Sequence, residues 1–349
     1  MATDHPTVQI LAPRWLIPVA PRDEVLEDHV VWVTEGRIDA ILGREEAQRR
    51  RHASEHPVDW IDLPTHALIP GLVNGHTHAA MSLMRGLADD LPLMTWLEEH
   101  IWPVEGQMLG HDFVHDGTML AALEMVRGGT TTFSDMYFFP EAAIEAVQTA
   151  GLRGIFGIVV IDNPNPWSAD PEEALAKGID LVNDWRRHPR IEFTLAPHAP
   201  YTVGDAALER VRTMSDQLDL PVHMHVHETA HEVETAIATY GERPLARLDR
   251  LGLLNERVVA VHMTQLTDTE IARLAVTGTH VLHSPQSNLK LASGFCPVAK
   301  LLEAGVNVGL GTDGAASNND LDMLDEMRTA ALIAKPIAND AAAVSAHQA

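Results

Sequence analysis

Two histidines one residue apart, His76 and His78, end the run Pro70-Gly71-Leu72-Val73-Asn74-Gly75-His76-Thr77-His78. On a β-strand the side-chain period is two, so both imidazoles leave the backbone on one side and can grip the same cation. Imidazole suits zinc and its first-row neighbours, and such a pair leaves other coordination positions to ligands from elsewhere in the chain. Residues able to complete a site stand at the ends of later apolar runs: Asp135, His198, His225 with Glu228, His262, His283 and Asp313. For Asp135 and His283 a hydrogen-bonded structural role is the expectation. His223, His225 and His227 share one strand face, so spacing alone does not choose among them. His225 is preferred because Glu228 follows three residues later, where a loop lets a carboxylate lean back over the site.

Three neutral imidazoles and one carboxylate (His76, His78, His225, Asp313) can hold a single divalent ion and leave a place for water, whose pKa the metal lowers toward about 7. Glu228 is then placed to move protons, and the metal-bound carboxylate Asp313 can accept the proton of the water. His262 is placed to hydrogen-bond the resulting hydroxide and to stabilise charge at a tetrahedral centre. The chain has four lysines, Lys177, Lys290, Lys300 and Lys335, and none falls at the end of the fourth apolar run, where a two-metal site of this kind needs a bridging lysine. One metal per subunit is therefore expected, zinc first and iron(II) second, since imidazole accepts both.

The elements that must position these residues are short apolar runs alternating with helical patterns. Eight runs are counted: Leu68–Asn74, Thr130–Asp135, Arg153–Ile161, Ile191–Pro197, Pro221–His225, Val258–His262, His280–His283 and Val306–Leu310. Helices are expected between them at Glu141–Ala150, Pro171–Trp185, Asp205–Gln217, Thr267–Thr277 and Leu321–Ala334. Strands separated by right-handed crossovers favour an α/β fold, a closed (β/α)₈ TIM-like barrel. In a barrel the C-terminal strand ends converge on one mouth, whereas a doubly wound sheet would string them along an edge, and no glycine-rich phosphate turn follows an early strand. Before the barrel, Val8–Leu11, His29–Thr34 and Arg37–Leu42, the last two joined by a Glu35-Gly36 turn, suggest a small β-rich domain. The expected division is 1–66 for that domain and 67–349 for the barrel.

With 25 Lys and Arg against 49 Asp and Glu, the net charge of −24 disfavours nucleic acid and anionic membrane surfaces. A single cysteine, Cys296, excludes a disulfide framework and a cysteine-ligated zinc site and fits a reducing compartment. No secretory leader and no long apolar span is read, so a cytoplasmic location is expected, with a homo-oligomer left open. His5, His52, His56, His111 and His188 lie in polar surroundings and are expected at the solvated surface.

PGLVNGHTH, the His225–Glu228 pair, the histidine ending the sixth run and LGTDGAASNN (Leu310–Asn319) together resemble the amidohydrolase superfamily, in its mononuclear deaminase and chlorohydrolase branch. The stretches His78–Glu105, Ala196–Thr202 and His283–Gly294 narrow the resemblance to the 5-methylthioadenosine/S-adenosylhomocysteine deaminases. It implies hydrolytic deamination at C6 of an adenine nucleoside to the inosine-type product and ammonia, and it implies His76, His78, His225 and Asp313 as metal ligands. It further implies that Glu228 donates a proton to the purine ring nitrogen, that Asp313 takes the water proton and that His262 orients the water. Glu105 matches the family residue that holds the ribose hydroxyls, and His198 another nucleoside contact. A carboxylate accepting two hydroxyl donors is a natural diol clamp, in agreement. Trp96 is a candidate wall of the base pocket, with plain core packing as the alternative. Ser317 and Asn318 are read either as supports of the site or as the N-cap of the helix expected from Leu321.

Relatives continue past the eighth strand with strands that complete the small β domain, and this sequence stops at Ala349; a shortened chain whose N-terminal strands lack partners is the expectation. The loop Asp162–Asp170 carries no arginine for the amino-acid carboxylate of S-adenosylhomocysteine, although Arg85 or another arginine elsewhere can supply one. The rival substrates on the same barrel are guanine, 8-oxoguanine or a chlorinated s-triazine. A catalytically silent barrel serving as a scaffold is the rival of another class.

Overall fold

A computed structural model describes residues 8–21, 24–54 and 57–349 and divides the chain into two compact units, Met1–Gly71 and Leu72–Ala349. His5 and His56 lie outside the described residues. His52 and His111 are exposed, and His188 is half-buried beside Trp185.

The first unit is a sheet of β1 (Val8–Leu16), β2 (Leu26–Glu27), β3 (His29–Thr34), β4 (Arg37–Gly43) and β5 (Val58–Leu68), with a helix at Arg44–His52. β1 pairs antiparallel with β2 and β3 and parallel with β5. Its alternate residues Val8, Ile10 and Ala12 are buried with Val30 and Trp32, the period-two signature of a half-buried strand. Glu35 and Gly36 at the β3–β4 turn both take positive φ, 47° and 74°. That is the backbone a two-residue hairpin needs to match strand twist.

The second unit is the expected barrel. Eight parallel strands, β6 (Leu72–Thr77), β7 (Thr130–Asp135), β8 (Arg153–Val160), β9 (Ile191–Pro197), β10 (Val222–Val226), β11 (Val258–His262), β12 (His280–His283) and β13 (Val308–Leu310), pair in sequence order, and β13 returns against β6. The first strand differs from the sequence reading: Leu68 ends β5, and Pro70, which cannot donate to a ladder, separates it from β6. Between barrel and helices lies a core that includes Phe133, Phe156, Ile158, Leu195 and Met224.

At the β13–β6 seam the backbones come close. A Cβ on Gly311 would stand 2.6 Å from the His76 nitrogen, and one on Gly75 would stand 2.9 Å from the Leu310 oxygen. Only glycine fits there. Asn74 then clamps Thr312 with two hydrogen bonds, of 2.7 and 3.0 Å, and the Asp313 N–H donates to the His76 carbonyl at 2.9 Å. Two ligand-bearing segments far apart in sequence are thereby joined directly.

After β6 the chain makes a 3₁₀ turn, Ala79–Met84, and then a helical stretch in three parts: α-helix Leu93–Trp96, a π turn Leu97–Ile101 and α-helix Trp102–Met108. Among the described residues no helix is long and apolar enough to cross a membrane.

Candidate metal and substrate site

The C-terminal strand ends bring the expected ligands together. One ligand atom from each of His76, His78, His225 and Asp313 lies within 4.8 Å of every other. The Nε2 atoms of His76 and His78 stand 3.4 and 3.2 Å from Asp313 Oδ1, and those of His76 and His225 are 3.2 Å apart. His78 Nδ1–H donates to the Met136 carbonyl at 2.6 Å and His225 Nδ1–H to the His198 carbonyl at 2.7 Å. These bonds fix the tautomer that leaves Nε2 free to ligate. His223 does not reach the cluster; it sits beneath, its Nε2 3.1 Å from His76 Nδ1. His227 leaves the strand with φ 53° and accepts the Leu245 N–H.

The donor set suits a divalent ion. Burial pushes His76 down to about 4 and His225 well below its ordinary value, so both offer lone pairs at neutral pH. Burial works against the Asp313 carboxylate, but hydrogen bonds from His76 and His78 hold it well below its usual range. For His78 burial is outweighed by Asp313, with help from Met136 and Asp135, and the imidazole is pushed up to about 9. Without a metal, the proton on His78 balances Asp313; with one, an ion takes over that positive charge.

Asp313 is further held by Ser287, whose hydroxyl donates to Oδ2 at 2.6 Å, and by the Gly314 N–H at 2.9 Å. Asn318 donates to the Thr312 carbonyl at 2.7 Å and also to Glu326. It supports the Asp313 turn and caps no helix. The cap of Met323–Ala338 is Asp322, and that helix starts two residues later than expected. Ser317 bonds the Gly314 carbonyl and lines the cavity. Asp135 accepts the Ala79 N–H at 2.7 Å, fixing the chain just past His78, as a structural residue should. His283 departs from expectation. It is buried, yet neither ring nitrogen has a protein partner among the described residues, and it stays out of the ligand cluster.

Glu228 is buried with Oε2 3.7 Å from His262 Nε2, and burial raises its pKa. His262 Nδ1 is 2.9 Å from Asn288 Oδ1, which turns Nε2 inward. Non-glycine residues in left-handed backbone cluster at these strand exits: His227, His262 (φ 74°), Met263 and Asp313 (φ 63°). Each costs about 1–3 kcal/mol, and such conformations gather where function holds them. One holder is Glu232, which escaped the sequence reading. Its carboxylate accepts the N–H groups of both His227 and Glu228, at 2.9 and 2.7 Å. The signal was present, since Thr229-x-x-Glu232 has the capping-box pattern.

A cavity of about 330 Å³ opens over the cluster. His78, His198, His225, Glu228, His262 and Asp313 line its floor, and Trp96 and Glu105 come from the helical stretch after β6. Trp96 is buried and its indole N–H has no partner among the described residues. Glu105 Oε1 accepts the hydroxyl of Tyr137 at 2.6 Å, a contact that spacing does not disclose. His198 Nδ1 meets the Thr202 hydroxyl at 2.9 Å, and burial pushes its pKa down to about 4. Arg85 does not line the cavity; it pairs with Glu124.

Residues 67–349 match the Amidohydrolase family. The chain belongs to that family. It is 50% identical over 335 residues to a 5-methylthioadenosine/S-adenosylhomocysteine deaminase of Teredinibacter turnerae, covering 96% of this chain and 75% of the relative. A deaminase of the same description from Saccharophagus degradans is 47% identical, with 99% and 76% covered. An adenosine deaminase from Xanthomonas campestris, crystallised with bound zinc, superposes with a TM-score of 0.94 at 52% identity, over 97% of this chain and 76% of that one. The chain thus spans about three quarters of the length of these relatives. It is a metal-dependent hydrolase of the deaminase type, with a site for one divalent ion.

Proposed function

We propose that this amidohydrolase removes the exocyclic amine of an adenine nucleoside, 5′-methylthioadenosine in the first place, as an inosine-type product and ammonia. The observation that carries the reading is the buried cluster of His76, His78, His225 and Asp313 at the floor of a cavity that also holds Glu228 and Glu105. Names of relatives 47–50% identical over nearly the whole chain support the same substrate class. His76, His78, His225 and Asp313 would hold the metal; zinc is our assignment, supported by the zinc-bound relative. A divalent ion there supplies Lewis acidity, which makes water acidic enough to ionise near neutral pH.

The chain's own residues do the rest. Asp313 takes a proton from water as its oxygen attacks C6. His262, aimed by Asn288, donates a hydrogen bond to that oxygen. Glu228, whose pKa burial raises, gives its proton to the adjacent ring nitrogen as C6 becomes tetrahedral. Asp313 passes its proton to the exocyclic nitrogen, the C6–N bond breaks and ammonia leaves, while the remaining hydroxyl proton goes to the Glu228 carboxylate as C6 becomes a carbonyl. Glu105, braced by Tyr137, accepts the two ribose hydroxyls, while His198 and Trp96 hold the nucleoside. A small nucleoside, no nucleic acid and a cytoplasmic setting complete the reading.

The test is incubation of the zinc-loaded protein with methylthioadenosine, followed by adenine absorbance and ammonia release. Both should change together, and a loaded protein that leaves every adenine nucleoside intact refutes the reading. Glu105→Gln decides against guanine or a triazine, which have no ribose: it should lower kcat/KM for nucleosides by about tenfold or more.

A further inference from the structure

We infer that the site selects adenine nucleosides whose 5′ substituent is neutral and apolar and rejects those ending in an amino acid. The inference rests on the proposed adenine-nucleoside reading and goes beyond it, because relatives of this kind carry both substrates in their names. Among the described residues that line the cavity there is no lysine or arginine. Beyond its histidines and carboxylates the lining is mostly apolar, with Trp102, Leu109, Phe138, Pro164 and Pro166 among its walls. Whichever of these walls the 5′ tail takes, it meets no ammonium or guanidinium among the described residues.

Cations next in sequence to, or bonded to, segments of the lining are committed elsewhere. Lys290, next to the lining residue Leu291, binds Asp89 at 2.6 Å, Asn319 Oδ1 at 2.7 Å and the Ala316 carbonyl at 3.0 Å. Arg247, beneath the loop of Tyr201 and Thr202, is buried and spends its donors on Asp205 and the Pro200 and Val203 carbonyls. Lys177 is held by Glu173 and the Trp167 carbonyl. The carboxylates that face the cavity include Glu105 and Asp313. An α-ammonium could find a carboxylate there, but the α-carboxylate beside it would lose water, gain no cation and face charges of its own sign. A methylthio group loses nothing by the same transfer and gains contact with the walls.

Steady-state kcat/KM of the zinc-loaded protein should be compared for three nucleosides: methylthioadenosine, S-adenosylhomocysteine and an uncharged 5′-alkylthioadenosine of the same tail length. The two neutral substrates should agree within about tenfold, and S-adenosylhomocysteine should fall about a hundredfold or more below them, the scale of an unpaired buried charge. Asn163, an exposed lining residue on the loop after β8, is the place to add a cation. Asn163→Arg or Asn163→Lys should raise kcat/KM for S-adenosylhomocysteine by about tenfold. S-adenosylhomocysteine turned over within about threefold of the neutral long-tailed substrate would overturn the inference and leave the functional reading standing. So would equal failure of both long tails, which would make length the filter, or no gain from either added cation. If no adenine nucleoside is consumed, the functional reading falls first and the selectivity with it.

Discussion

Glu228 must hold a proton at the pH where Asp313 has none, and burial separates the two by raising the first while the histidines lower the second. Glu228→Gln keeps the shape and removes the transferable proton, so kcat should fall by about 10²–10⁴-fold with metal content unchanged. A variant that keeps its rate assigns the proton elsewhere. His78 carries a second expectation. Its pKa of about 9 in the metal-free protein means that below that pH an incoming ion must displace a proton, whereas His76 and His225 are already neutral. Zinc binding at neutral pH should release about one proton, and apparent affinity should rise about tenfold per pH unit up to about 9. Potentiometric or indicator titration of the metal-free protein checks this, and zinc uptake without proton release would contradict it.

The elements act by where they end. At the seam of β13 and β6, Gly311→Ala would push a methyl against the His76 backbone, which cannot swing aside as a side chain can. The expected cost is about 2–4 kcal/mol, seen as a lower unfolding midpoint together with weaker zinc retention, because the same contact carries both ligand segments. An unperturbed variant would show that the seam can relax. Seven of the eight barrel strands were legible almost to the residue, because strands such as Arg153–Val160, buried over its last five positions, read as continuous apolar runs bounded by polar residues. The first was misplaced by four residues, since Leu68 and Ile69 extend the apolar run across Pro70. The helix Arg44–His52 was illegible for the opposite reason. It buries only Ala47 and so has no apolar face. The helical stretch around Trp96 and Glu105 was hidden by its π turn at Leu97–Ile101, which shifts the side-chain register out of the 3.6-residue period. The ligands were legible because His-x-His and strand ends are local signals. Tyr137, Glu232 and Ser287 were not, because each acts through a partner that spacing does not name.

In the barrel as a whole, acids other than the metal ligands are buried too, and they set how stability follows pH. Burial pushes Glu326 up to about 9 against Asn318 and Gln286, which hold it more weakly. Its folded pKa is raised, so its contribution is complete below the ordinary carboxylate range and is lost as pH rises toward about 9. Glu326→Gln, neutral at every pH, should flatten the decline of the unfolding midpoint between about pH 5 and 9; an unchanged slope would place the proton elsewhere. The central claim is that strand ends separated by more than two hundred residues make one ion site that deaminates adenine. Zinc should be added stepwise to the metal-free protein while ammonia release from methylthioadenosine is followed. Activity should climb linearly and level off at about one equivalent, and His225→Ala should remove both the binding and the rate. Full zinc occupancy at these four residues with no ammonia released would contradict it.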